Sequence, residues 1–226
     1  MKSKTSTIIF KMVSTALLSA LGIVLMLFVK FPYPFAPWIE IEVSDIVILV
    51  GYATGGFTCS LAIAIIKTLI SLLIQPSGIY YIGQLAAIIS SLTYLICLFI
   101  CVKVFRLFSK KFYHRIIGYV FIALINALVM TSLNYLFITP TYLAGYYTTC
   151  FNKEAVEGVV NSLSKFGGNY FTCIFVLYFP FNLIKASLIL VIYELLFNTL
   201  LFVVFKNNPK LSKYIKSKDD NKNNKE

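Results

Sequence analysis

Charge is scarce in this chain, and acidic charge scarcest: only 13% of its 226 residues are charged, with nine Asp and Glu and a single His. So few titratable groups leave little material for acid–base or metal-assisted catalysis. An intramembrane enzyme would need paired acids or a His-rich cluster inside its apolar runs, and neither is present. No Gly-x-x-x-x-Gly-Lys-Ser/Thr loop occurs, so the chain has no phosphate cradle with which to hydrolyse ATP unaided, and no Gly-x-Ser-x-Gly elbow marks a serine nucleophile. The lone histidine, His114, sits in a basic loop and reads as a surface residue. Five cysteines (Cys59, Cys97, Cys101, Cys150, Cys173) are an odd number without a Cys-x-x-Cys, and small apolar packing is the role that fits them. Cys97 and Cys101 share a helix face, but two thiols without histidine neighbours make a poor metal site.

What is abundant is apolar sequence. Hydrophobic residues make up 59% of the chain, and several uncharged runs reach the roughly 18 to 20 residues needed to cross a bilayer. In hydrocarbon a helix satisfies its own backbone polar groups. The expectation is therefore an all-α membrane protein with six transmembrane helices, near 8-29, 46-57, 59-75, 79-105, 116-138 and 170-205, forming one domain over 1-205. The first span lacks a convincing small-residue cleavage site and is read as a true span rather than a signal peptide. The interruption Gly51-Tyr52-Ala53-Thr54-Gly55-Gly56 admits either a turn between two short helices or a kink in one. Charge favours the turn. With a cytoplasmic N-terminus and six spans, Lys2, Lys4 and Lys11, the cluster Lys103, Arg106, Lys110, Lys111 and Arg115, and the seven lysines from Lys206 to Lys225 all fall inside, fifteen of twenty basic residues, as the positive-inside rule asks. The net charge of +11 is then a topology signal, not a nucleic-acid footprint. The basic segment 206-226 reads as a disordered cytoplasmic tail able to touch anionic lipid.

Polar residues inside such runs need a reason, because a charge near the bilayer centre costs a few kcal/mol unless it is paired or faces water. Pro180-Phe181-Asn182-Leu183-Ile184-Lys185 places an amide and an ammonium one helical turn apart. Asn134-Tyr135-Leu136-Phe137-Ile138-Thr139-Pro140-Thr141-Tyr142 ends the fifth span at the same expected outer depth. An amide offers donor and acceptor on one planar group, so Asn134 and Asn182 suit a heterocycle with imide or amide edges, although buried amides also glue helices together. Lys67 lies in the outer half of the third span, either lining the same cavity or pairing with an outer acid such as Glu40 or Glu42. Glu194 sits deeper on the last span, apart from these groups.

The loop Phe31 to Asp45 packs three prolines, four aromatics and three acids into fifteen residues. Its prolines exclude helix, and Ile39, Ile41 and Val43 alternate with Glu40, Glu42 and Ser44 as in a short extended segment. A structured lid over the outer mouth and an interfacial loop with aromatics at headgroup level both fit. Asp45, just before an apolar run, is expected to cap the second helix. In the first span Ala16 and Ala20 make a smooth stripe followed by Gly22, suited to internal packing or to docking an energising partner.

Taken in order, Ala16-x-x-x-Ala20, Lys30-Phe31-Pro32-Tyr33-Pro34-Phe35 leading to Val43-Ser44-Asp45, Ile66-Lys67, Asn134-Tyr135 with Pro140-Thr141-Tyr142, and Pro180 to Lys185 resemble the substrate-capture (S) component of energy-coupling factor (ECF) transporters, specifically its riboflavin-binding branch. The resemblance runs from about 12 to 205. It implies a six-helix protein of the bacterial cell membrane that takes riboflavin as transported ligand, with no cofactor. It also implies a transmembrane coupling subunit and two ATPase subunits as partners, and both termini in the cytoplasm. On the same resemblance Asn134, Asn182 and Lys185 occupy vitamin-contacting positions, while Ala16 and Ala20 match the partner-docking motif; Glu40, Lys67 and Tyr142 complete the candidate substrate-binding set from their placement in the sequence. Glu40 and Glu42 stand where a hydroxyl and a single acid are expected, and Ala186 where glycine is usual. A capture subunit for another vitamin or heterocycle shares this architecture. A stand-alone secondary carrier is the other alternative, although no inverted repeat relates the two halves.

Overall fold

The computed structural model describes residues 4–74, 81–104 and 112–200. The tail expected over 206-226, the domain boundary expected at 205, the side chain of His114, and Lys2, Arg106, Lys110 and Lys111 of the expected charge clusters lie outside the described residues. In chain order the elements are α1 (Lys4–Phe28), β1 (Lys30–Tyr33), β2 (Ala36–Glu42), α2 (Ile46–Gly55), α3 (Phe57–Ile74), α4 (Ile82–Val104), α5 (Phe112–Leu133), α6 (Thr139–Ala144), α7 (Lys153–Ser162) and α8 (Tyr170–Leu200). The chain divides into a unit ending at Leu190, which holds the bundle and hairpin, and a unit from Val191, whose described part is the end of α8.

Five apolar stretches among the described residues are long enough to cross a membrane: Ile8–Phe28, Phe57–Ile74, Ile82–Lys103, Arg115–Ala144 and Tyr170–Leu196. The stretch 46-57 is different. Its helix α2 is apolar but only ten residues long, about 15 Å at the helical rise, half of a typical hydrocarbon core. Gly56 separates α2 from α3 with φ +83°, the left-handed region that glycine enters without steric cost. The interruption is thus a turn between two helices. α1 packs on α2 and α3, α3 on α4, and α4 on α5. Gly22 makes the first contact possible, since a Cβ there would lie 2.9 Å from Val47 Cγ2.

The expectation of an all-α protein needs one amendment. The segment after α1 is an antiparallel β-hairpin, pairing Lys30 with Glu42, Phe31 with Ile41 and Pro32 with Glu40. A lone two-stranded hairpin is marginal in water, so something must hold it. Tyr33, Ala36 and Ile41 supply the anchor: they are buried in one cluster with Val159 and Leu163 at α7 and Tyr170, Ile174, Leu177 and Phe181 of α8. Tyr33 meets Phe181 edge-on at 5.2 Å between ring centroids. A large apolar side chain such as Ile41 contributes roughly 1.5–3 kcal/mol on full burial, and with Tyr33 and Ala36 beside it the anchor fixes the strands. Prolines are tolerated because both strands are edges.

The junction of α5 and α6 is also irregular, for a reason legible in its chemistry. Residues Asn134–Ile138 form a π-helical turn, with the Thr139 N–H reaching back to the Asn134 carbonyl. That extra residue releases the Tyr135 carbonyl, which accepts from the Tyr170 hydroxyl at the start of α8. Pro140 brings no N–H to the Leu136 carbonyl, and the Cys150 N–H takes it at 3.0 Å. Both carbonyls freed in this turn are therefore satisfied from outside the helix, as buried backbone groups require.

Candidate functional site

At the hairpin end of the bundle a cavity of about 400 Å³ opens between β2, the end of α1, the start of α4, the α5–α6 junction and α8. Cavities that hold small organic ligands run from about 300 to 1,000 Å³. Its walls are mixed. Met26, Leu27, Ile82, Ala86, Ala87, Met130, Ile138, Leu143 and Phe181 give an apolar surface, and polar groups enter from several sides.

Asn134, Asn182, Lys185, Glu40 and Tyr142 all line this cavity. The two amides are held by their own helices: Asn134 Nδ2 donates to the Met130 carbonyl at 2.8 Å and Asn182 Nδ2 to the Tyr178 carbonyl at 2.8 Å. Thr139 Oγ1 donates to Asn134 Oδ1 at 3.2 Å, so the π-helical turn fixes which way that amide faces. Each side chain keeps further donor or acceptor capacity. Lys185, half-buried, makes no hydrogen bond or ion pair with another described residue. Glu40, half-exposed at the rim, pairs with Lys30 at 3.3 Å.

Lys67 is placed elsewhere. It does not line the cavity; it pairs with an acid, as the second alternative has it, and that acid is Asp45 rather than Glu40 or Glu42. Its fully buried ammonium lies 2.7 Å from Asp45 Oδ1 and 2.8 Å from Ser44 Oγ. Asp45 in turn is not a side-chain cap: it sits at the N-cap position of α2 but makes no capping bond. Its carboxylate instead accepts from Lys67, from Ser91 at 2.5 Å and from Ser90 at 2.9 Å. The physical reason is burial. Asp45 is 1% exposed, and a buried carboxylate beside an ammonium gains far more from that partner than from a helix end.

Gln84 and Trp38, to which the sequence alone assigns no site role, also line the cavity. Gln84 on α4 is a third amide in the lining, and an amide within the apolar run 79-105 carried the same signal as Asn182. Trp38 and Glu42 join Glu40 because alternate residues of β2 share one face. Lys165 Nζ stands 4.9 Å from the Trp38 ring centroid, a cation–π distance. Ala16 and Ala20 are exposed on α1, whereas Ser19, Gly22 and Met26 form its buried side.

Long apolar helices closing over a half-polar cavity define a multi-pass helical membrane protein. The model of the ECF transporter substrate-specific component matches residues 10–197, and the chain belongs to that family. It is 26% identical over 191 residues to the riboflavin transporter RibU of Staphylococcus aureus (strain TCH60), covering 84% of this chain and 89% of that protein. It is 25% identical over 190 residues to the riboflavin transporter FmnP of Bacillus subtilis (strain 168), covering 83% and 90% respectively. A solved structure of the S component of a bacterial ECF transporter superposes with a TM-score of 0.59 at 23% identity, covering 88% of this chain and 98% of that one, a likeness of fold alone.

Proposed function

We propose that this chain is the riboflavin-capturing subunit of an ATP-driven uptake transporter of the bacterial cell membrane. Vitamin enters the cavity from outside and is released inward by a coupling subunit and two ATPase subunits. The observation that carries this reading is one cavity that gathers Asn134, Asn182 and Lys185 against apolar walls. Riboflavin has an apolar dimethylbenzene end, a hydrogen-bonding pyrimidine edge and a polyol tail, and such a ligand needs a mostly apolar pocket with a few oriented polar groups. Asn134 and Asn182 read the edge or the tail. Lys185 donates to a carbonyl or hydroxyl, and the ligand supplies the partner it lacks. Tyr142 and Glu40 face the polyol at the rim.

Charge supports an uncharged ligand. The lining holds two cations, Lys30 and Lys185, and two acids, Glu40 and Glu42, so the cavity carries no formal excess of either sign. Lys67 serves the fold through Asp45. Topology follows the positive-inside reading, with six spans of which α2 is the short one, both termini cytoplasmic and the hairpin outward. Ala16 and Ala20 present a smooth lipid-side face to the coupling subunit.

Titration of detergent-solubilised protein with riboflavin tests the reading, because flavin fluorescence falls when the ring is enclosed. Saturable quenching at one site per chain is expected, with loss of affinity in Asn182→Ala of roughly ten- to a hundredfold, the cost of about 1–3 kcal/mol for an unmade buried hydrogen bond. No quenching, with saturable binding of a different vitamin, would assign the cavity to that vitamin instead.

A further inference from the structure

Glu42 is the one carboxylate in the cavity lining that no described cation pairs. Its cross-strand neighbour Lys30 turns to Glu40. What holds Glu42 is Ser44, whose hydroxyl donates to Glu42 Oε1. A serine hydroxyl has one proton and two lone pairs, and here their use is dictated: Lys67 Nζ donates into Ser44 Oγ at 2.8 Å, so the serine proton is directed away from Lys67 and toward the carboxylate. Lys67 is itself locked by Asp45 at 2.7 Å, and Asp45 by Ser90 and Ser91 of α4. The chain of bonds runs from α4 through α2 and α3 to the end of β2.

We infer that Ser44 and Lys67 are positioning residues for ligand capture: the buried Asp45–Lys67 pair orients the Ser44 proton, which holds Glu42 with its free acceptor sites toward the ligand's hydroxyl or N–H donors. This rests on the riboflavin reading and deepens it, because it makes an ion pair outside the cavity set the geometry of a group inside it. Without the relay an unpaired glutamate on a strand end samples several rotamers, and fixing it at binding costs side-chain entropy. Glu42 needs no counter-ion in this arrangement, and an uncharged polyol or imide is the partner it suits.

The test measures riboflavin affinity and the melting temperature of the ligand-free protein for wild type, Ser44→Ala, Ser44→Thr, Glu42→Ala and the double variant Ser44→Ala/Glu42→Ala. Expected are a loss of about tenfold in affinity for each Ala single variant, no further loss in the double variant, and recovery to near wild type in Ser44→Thr, which keeps the hydroxyl. A purely structural serine would lower the melting temperature and give losses that add with Glu42→Ala. Additive losses, or a Glu42→Ala variant that binds as wild type does, overturn the inference whether or not Ser44→Ala folds. Wild-type protein that binds no riboflavin overturns the functional reading, and the inference with it. Wild type that binds, alongside variants that bind equally well, overturns the inference alone.

Discussion

Lys67 Nζ lies 2.7 Å from Asp45 Oδ1 with the two side chains 0% and 1% exposed, a complete ion pair sealed between α3 and the start of α2. Removing one partner of such a pair strands a charge in a low-dielectric interior and typically costs about 3–5 kcal/mol, whereas removing both is far milder. Lys67→Met is therefore expected to lower the melting temperature of the ligand-free protein sharply, and Lys67→Met/Asp45→Asn to recover much of the loss. Thermal unfolding in detergent reads both. Equal melting of Lys67→Met and wild type would mean that Asp45 is not charged in the fold.

Lys185 is a different case, a cation at the cavity that makes no hydrogen bond or ion pair with a described residue. The field of the buried Asp45 carboxylate reaches it in the empty protein, without a direct hydrogen bond or ion pair, so Lys185→Ala is expected to change melting far less than Lys67→Met. If the ligand is the missing partner, the same substitution weakens riboflavin binding about ten- to a hundredfold, since hydrogen bonds to a charged group contribute about 1.5–3 kcal/mol. Fluorescence titration beside the melt separates these outcomes. Unchanged affinity would remove Lys185 from the site.

The contrast between these two lysines also shows how far the sequence could be read. Apolar run length locates the five long helices, and the unusual placement of Asn134, Asn182 and Lys185 in lipid-facing sequence is enough to expect them at one depth. Period-two alternation suggests extended backbone over 39 to 44, and the strand covers its first part, ending at Glu42, while the pairing with Lys30–Tyr33 that makes it a hairpin has no such signal. What does not show in the sequence is partnership. Lys67 and Asp45 are 22 residues apart, and nothing local says that α2 turns at Gly56 so as to bring Asp45, rather than Glu40 or Glu42, to the ammonium. The π-helical turn at Asn134 is equally silent, because it is fixed by Tyr170 and Cys150, which supply the missing donors from distant parts of the chain.

Trp38 is the only tryptophan in the chain, and it lines the cavity. A flavin absorbs where indole emits, so energy transfer at contact distance is efficient. Saturating riboflavin is expected to quench most of the tryptophan emission of wild-type protein, with the same midpoint as the quenching of flavin fluorescence. In Trp38→Phe the indole signal disappears while the flavin signal still reports binding. A wild-type tryptophan signal that does not respond to saturating flavin would place the ligand away from β2.

Ala16 and Ala20 give the last prediction. Both are exposed on α1, on a side shared with Val13, Leu17 and Val24, which are also exposed, while the buried side of the helix carries Ser19, Gly22 and Met26. Small residues four apart let another helix approach closely, and bulk at those positions forces it outward. Since neither residue lines the cavity, Ala16→Leu/Ala20→Leu is expected to leave riboflavin affinity within about twofold, as substitutions remote from a site usually do, and to leave melting little changed. Uptake into cells or vesicles supplied with the coupling subunit and ATPases should nevertheless fall strongly, along with co-purification of the coupling subunit. Gly22→Leu supplies the control, because a Cβ there already meets Val47 Cγ2 at 2.9 Å and should damage the fold itself. If the alanine variants instead lose stability while uptake per folded molecule is unchanged, the stripe packs within the protein and the docking face lies elsewhere.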